Sequence, residues 1–348
     1  MNNYNSYLHI NMEHLRNNIE SVLRSLTEGC SLIPVIKCNA YQLGANEFSK
    51  VIAEYDDISM IAVSHINEGV SLRQNGWKKD ILVLGNPVIR YLDDAFENDL
   101  TISVGYRDLI NILPRGIKVQ IMFDTGLHRN GFSIDDIPDI SALNVTGYYS
   151  HFADGENEVL CRKQFDDFMS LPFSGMKHIC ASASFENFPE YSLDAVRIGR
   201  RLHMDAPGVY DGEIREVASW RAFITNITYA HAGDSIGYGS KFILDKNCTL
   251  ANISIGYGDG LSVGEAREHA PVLISGKRCP VLYSFMDQSL VDISGVKCSV
   301  GDEVTIFGYD SEGNFISSQE IASITGDDEG VGLYSMVSPR VGRIYENL

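Results

Sequence analysis

Between residues 31 and 199 the chain alternates short, unbroken apolar runs with stretches in which apolar residues recur every three to four positions. Eight such runs stand out: "SLIPVIK" (31–37), "ISMIAVS" (58–64), "DILVLG" (80–85), "LTISVG" (100–105), "IKVQIMFD" (117–124), "VTGYYSH" (145–151), "MKHICAS" (176–182) and "DAVRIG" (194–199). Continuous apolar runs are what parallel strands buried on both faces look like. The intervening stretches, such as "NEFSKVIAEY", "INEGVSLRQNG" and "CRKQFDDFMSL", carry helical spacing. Eight strands alternating with helices predict an α/β fold, an N-terminal (β/α)8 barrel. In such barrels chemistry sits at the C-terminal ends of the strands. Lys37, Asp124, His151, Ser182 and the Arg197–Gly199 pair all fall there.

Past about residue 215 the pattern changes. "WRAFITNITYA", "TLANISIGYGDG", "APVLISG", "RCPVLYSFMD", "SLVDIS" and "EVTIFGYD" alternate apolar and polar positions, with Gly, Asp or Asn between them. That is the pattern of an all-β domain. The expected division is 1–215 for the barrel and 216–348 for the β domain. The opening strand, 5–11, precedes any helix and is a candidate for the second domain.

Composition narrows the function. A chain of 348 residues exceeds one ordinary small domain. Its net charge of −18 argues against non-specific binding to nucleic acid or to anionic membranes. No run of about 18 apolar residues predicts a membrane span. "MNNYNSYLHINMEHL" has neither the basic nor the apolar region of a signal peptide. The seven cysteines lack any CxxC pair, so reduced thiols and a cytoplasmic location are expected, with no metal site.

"VIKCNAYQLGA" (35–45) ends an apolar strand on a lysine. A buried ammonium is costly unless it is paired or neutralised. Alone, Lys37 reads as a strand-end lysine with an ion partner. With a tyrosine four residues on, it also suits a Schiff-base amine, which loses its charge on forming an imine.

That stretch resembles the cofactor-lysine motif of the alanine racemase family, fold-type III pyridoxal-phosphate enzymes. "FDTGLHRNGF", "HFADGE", "HICASAS", "VRIGRRLHM", "DSIGYGSKF", "ISIGYGDGL", "SFMDQSLVDIS" and "VGDEVTIFG" resemble further motifs of that family, in the same order. The resemblance implies a homodimer with shared active sites that racemises a small amino acid, alanine first, using pyridoxal 5'-phosphate. Lys37 and Tyr238 would be the two acid/base groups, Tyr238 coming from the partner subunit. Two bases on opposite faces spare a single base from crossing the ring. His151 would bond that tyrosine, with Arg197 behind it. Tyr41, Ser182 and the backbone at Gly199 and Arg200 would hold the phosphate. Arg129 would meet the substrate carboxylate. Tyr257, Met286 and Asp287 would line the entry, again from the partner.

Alone, Arg197 would read as an ordinary surface salt bridge. A cation there points to proton exchange and away from a decarboxylase of the same architecture. A non-catalytic cofactor carrier is opposed by the presence of both the β domain and Tyr238. Asp124 reads as a turn residue, His178 as either a support for Arg197 or a satisfied core histidine, and Gly256 and Gly258 as serving the backbone.

Four positions depart from the family pattern: Gln42-Leu43 in place of Gly-His, Met122 in place of an often carbamylated lysine, Ile198 with Arg200 around Gly199, and Pro339 in place of a tyrosine. A missing ring opens a pocket, so side chains beyond methyl, serine first, are expected.

Overall fold

The computed structural model describes residues 3–205, 210–240, 242–327 and 331–348. Strand β1 (Tyr7–Asn11) leads directly into the helix Met12–Ser25. The Asn11 side chain caps that helix by accepting from the Glu13 N–H at 2.9 Å. Its buried Leu15, Ile19 and Val22 are spaced to form one face.

Eight short parallel strands follow: β2 (Ser31–Pro34), β3 (Met60–Val63), β4 (Asp80–Val83), β5 (Thr101–Val104), β6 (Lys118–Asp124), β8 (Asn144–Tyr149), β9 (Lys177–His178) and β10 (Ala195–Ile198). A two-residue strand, β7 (Phe132–Ser133), pairs beside β6. All eight coincide with the apolar runs of the sequence. Hydrogen bonds join β3-β4-β5-β6-β8-β9 in order and β10 to β2. Single bridges at Val35–Ala62 and Ala181–Arg197 close the two gaps, so the strands form a ring.

The second unit holds β11 (Ala218–Ala230), β12 (Ser235–Ile236), β13 (Phe242–Ile243), β14 (Cys248–Ile253), β15 (Pro271–Ile274), β16 (Lys277–Ser284), β17 (Ser289–Asp292), β18 (Glu303–Tyr309), β19 (Phe315–Ile316) and β20 (Gly342–Glu346). The main sheet runs β19-β18-β15-β16-β17-β14-β11-β1-β20, and β11 also pairs with β18. The long β11 spans both partners because register shifts bend it at Trp220/Arg221 and at Ile224/Asn226. Trp220, Phe307 and Tyr334 fill the core, all fully buried.

The N-terminal strand β1 lies in this second sheet, antiparallel to β11 and parallel to β20. Both ends of the chain therefore tie the barrel to the β unit. Among the described residues no helix is long and apolar enough to cross a membrane.

Candidate active site

The chain reverses handedness after Lys37. Cys38, Asn39, Ala40, Tyr41 and Gln42 have φ of 51, 57, 49, 53 and 69°, and none is glycine. Left-handed backbone costs a non-glycine residue about 1–2 kcal/mol. Such strain persists only where surrounding contacts impose it, and it concentrates at functional sites. The turn follows directly on Lys37, which lines a cavity of about 1000 Å³. It also turns Tyr41 inward, where a Cβ added at Gly199 would sit 2.3 Å from the Tyr41 oxygen. Glycine at 199 is thus required by space. The Tyr41 ring rests on His203, centroids 4.5 Å apart.

Eight of the residues singled out from the sequence line this one cavity: Lys37, Tyr41, Arg129, His151, Ser182, Arg197, Gly199 and Arg200. The ring of strands brings them together from five of its members and the loops that follow. Lys37, Arg129, Arg197, Arg200 and Arg201 supply positive charge, against Asp154, Glu156 and Glu186. Glu186 is taken up by Arg201, whose Nε and Nη2 donate to its two oxygens at 2.6 and 3.2 Å. The remaining field favours an anionic occupant.

Arg197 is buried with no carboxylate beside it. It donates to the carbonyls of Ser150 at 2.8 Å and Ile179 at 3.0 Å, and to Nδ1 of His151 at 2.9 Å and of His178 at 2.5 Å. Its guanidinium also lies 5.3 Å from the Tyr149 ring centroid. Burial lowers its pKa to about 10, which still leaves it charged at neutral pH. A charged guanidinium can only donate, so both imidazoles accept at Nδ1 and carry their proton on Nε2. Burial, reinforced by Arg197, holds both histidines well below the ordinary imidazole range. His178 Nε2 meets the Gln120 carboxamide oxygen at 2.8 Å, which fixes that tautomer from the other side. His178 is therefore both a satisfied core histidine and a support for Arg197.

Asp124 organises the loop carrying Arg129. Its Oδ1 accepts from the N–H groups of Gly126 at 2.9 Å and His128 at 3.0 Å. Met122 is buried in the cavity wall.

Tyr238, Tyr257, Met286 and Asp287 are not brought to this cavity. Tyr238, on the loop between β12 and β13, is 76% exposed, and Tyr257 and Met286 are also exposed. They cluster on the β unit. Tyr238 stacks edge-on to Phe285 at 5.4 Å, the Tyr257 N–H donates to the Phe285 carbonyl at 2.9 Å, and the Gly258 N–H to the Met286 carbonyl at 2.7 Å. Gly256 and Gly258 serve this cluster by absence of bulk, since a Cβ would lie 2.2 Å from the Phe285 oxygen and 2.7 Å from the Met286 oxygen. Pro339 is outside the cavity lining; the β unit contributes Gln319 and Val331 instead.

Sequence reasoning overlooked Tyr149, Gln120, Glu68 and Arg343. Tyr149 has a signal, since it ends β8 two residues before His151. Glu68 reads locally as a helix cap, and nothing near Arg343 in sequence announces its contacts.

Residues 10–207 match the family described as "Alanine racemase, N-terminal domain" and residues 217–345 match "Alanine racemase, C-terminal domain". An alanine racemase of Methanococcus maripaludis is 31% identical, with 97% of each chain covered. One of Clostridium kluyveri is also 31% identical, over 97% of this chain and 93% of its own. Among solved structures, alanine racemase of Clostridium difficile superimposes with a TM-score of 0.90 at 27% identity, covering 99% of this chain and 97% of that one. Matched in both halves and covered almost end to end by these relatives, the chain belongs to the alanine racemase family, isomerases that act on amino acids.

Proposed function

We propose that this chain interconverts L- and D-alanine with pyridoxal 5'-phosphate bound through Lys37, and that its active site is completed by Tyr238 of a second copy. The observation that carries this reading is the single cavity lined by Lys37, Tyr41, Arg129, His151, Ser182, Arg197, Gly199 and Arg200. The donor set fits the cofactor. A primary amine lines the cavity, hydroxyls and cations suit a phosphate, and the Gly199 cradle leaves room against Tyr41.

When bound, the cofactor supplies conjugation that acidifies the amino acid's Cα–H. Lys37 holds it and moves a proton at Nζ on one face. The Tyr238 phenol of a second copy moves a proton on the other. Arg197 keeps His151 protonated on Nε2, the nitrogen left to donate to that phenol. Arg129 receives the substrate carboxylate. Arg197, with no acidic partner, presents a cation to the cavity, which opposes the decarboxylase reading. The exposure of Tyr238, Tyr257 and Met286 as one cluster supports their delivery to a second chain.

Incubation with L-alanine in D2O is expected to give cofactor-dependent α-deuteration and D-alanine. Release of CO2, or no exchange, would overturn the reading. Shared sites predict complementation. Lys37→Ala and Tyr238→Phe are each inactive alone, yet mixed and exchanged in equal amounts they recover about a quarter of wild-type activity, because half the dimers are mixed and each has one intact site. No recovery in a mixture shown to exchange would place both groups in one chain.

One observation favours acceptance of serine and somewhat larger side chains as well: the 337–341 segment gives no ring to the cavity lining. Pro339→Tyr is expected to raise the ratio of kcat/KM for L-alanine over L-serine by about ten-fold, as adding a wall should.

A further inference from the structure

The left-handed turn after Lys37 is gripped at both ends by charged side chains, neither of which lines the cavity. At its start, Glu68 Oε1 accepts from the Cys38 N–H at 2.5 Å. The other oxygen of the same carboxylate accepts from Ser64 and His65 N–H at 2.8 and 2.9 Å, where β3 gives way to the helix Ile66–Gln74. At its end, Arg343 Nε donates to the Gln42 carbonyl at 3.0 Å. The same guanidinium donates to the carbonyls of Ser338 at 2.8 Å, Val341 at 2.6 Å and Val337 at 3.3 Å, on the terminal segment of the β unit.

The arrangement follows from peptide electrostatics. The first N–H groups of a helical turn have no partner within it, nor do the last carbonyls, and aligned peptides make the start positive and the end negative. A carboxylate at the start and a guanidinium at the end answer both. Each is anchored elsewhere by backbone: Glu68 to the barrel, Arg343 to the β unit. Five consecutive non-glycine residues at positive φ need such external restraint. The Cys38 N–H belongs to the peptide formed by the Lys37 carbonyl, so a shift at Glu68 moves the Lys37 backbone directly.

We infer that Glu68 and Arg343 are positioning residues for Lys37, a two-ended clamp that sets where its amine stands; the inference rests on Lys37 being the cofactor-bearing lysine. Glu68→Gln keeps the length but offers one accepting oxygen for two grips, since its NH2 cannot accept, whereas Glu68→Asp keeps both oxygens and falls one methylene short. Arg343→Lys keeps the charge and loses the fork.

The test is borohydride trapping of holoenzyme, with mass analysis of the Lys37 peptide, alongside kcat, KM and Tm. Glu68→Asp and Arg343→Lys should each lower kcat and the initial trapping rate about ten-fold, with KM within about two-fold, as misplacement of a reacting group does. Glu68→Gln, which gives up one of the two grips, should lower both as well. The Asp/Lys double variant should lose less than the product of the single losses, because one clamp cannot be released twice. Trapping at the wild-type rate in both single variants would overturn the inference. So would a double variant that equals the product. Failure to trap wild-type enzyme at Lys37 is a different result: it would sink the cofactor reading itself.

Discussion

His151, His178, His203 and Glu216 sit where desolvation opposes charge, and each keeps its neutral form. Burial lowers His203 from 6.5 to about 3 and raises Glu216 from 4.5 to about 8. The signs of the two effects on stability are opposite. Between about pH 3 and 6.5 the unfolded chain takes up protons that the buried His203 refuses, so stability rises with pH across that window. His151 and His178 act in the same direction. Glu216 holds a proton that the unfolded chain releases above 4.5, so its contribution is complete below that value and is lost as pH rises toward about 8. Its neighbours are the Tyr334 hydroxyl, Asp205 and Ser318, with no cation among them. Glu216→Gln should therefore remove an alkaline decline of at most about 1.4 kcal/mol per pH unit, seen as a Tm that stays level from about pH 6 to 8 while wild-type Tm falls. A parallel decline in the variant would assign the effect to other groups.

At the scale of elements, two short segments hold unusual backbone for different reasons. The Cys38–Gln42 turn pays in conformation, so relief by glycine is measurable. Gln42→Gly, at φ 69°, should raise stability by about 0.5–1 kcal/mol in denaturant melts, and Gln42→Val should lower it. The Gly256–Gly258 loop demands space instead of positive φ. Gly256→Ala would press a methyl against the Phe285 carbonyl, costing about 1–3 kcal/mol and displacing Tyr257 and Met286 together. Denaturant melts read the first effect and racemase activity the second. The eight barrel strands were legible as apolar runs because burial on both faces leaves a local mark. The left-handed turn was not, since Cys, Asn, Ala, Tyr and Gln in a row carry no signature for positive φ.

For the whole molecule, the separation of Tyr238 from the Lys37 cavity is the feature with most consequence. If a second copy supplies the phenol, specific activity falls on dilution through the dimer dissociation range and returns on concentration, in step with sedimentation. Activity unchanged across that range would assign the reaction to a single chain. The sequence by itself determined the strand and helix periods, the order of motifs and the residue types of the site, because these depend on neighbours a few positions apart. The resemblance it carries also set Met122 and Pro339 apart as expected departures from the family pattern. Only the tertiary structure decided that β1 joins the β unit, that Arg197 answers two imidazoles and two carbonyls, that Pro339 leaves the cavity to Gln319 and Val331, and that Glu68 and Arg343 reach the turn after Lys37. Those contacts join residues far apart in the chain, and it is the closure and register of the two sheets, which no local pattern encodes, that bring them within reach.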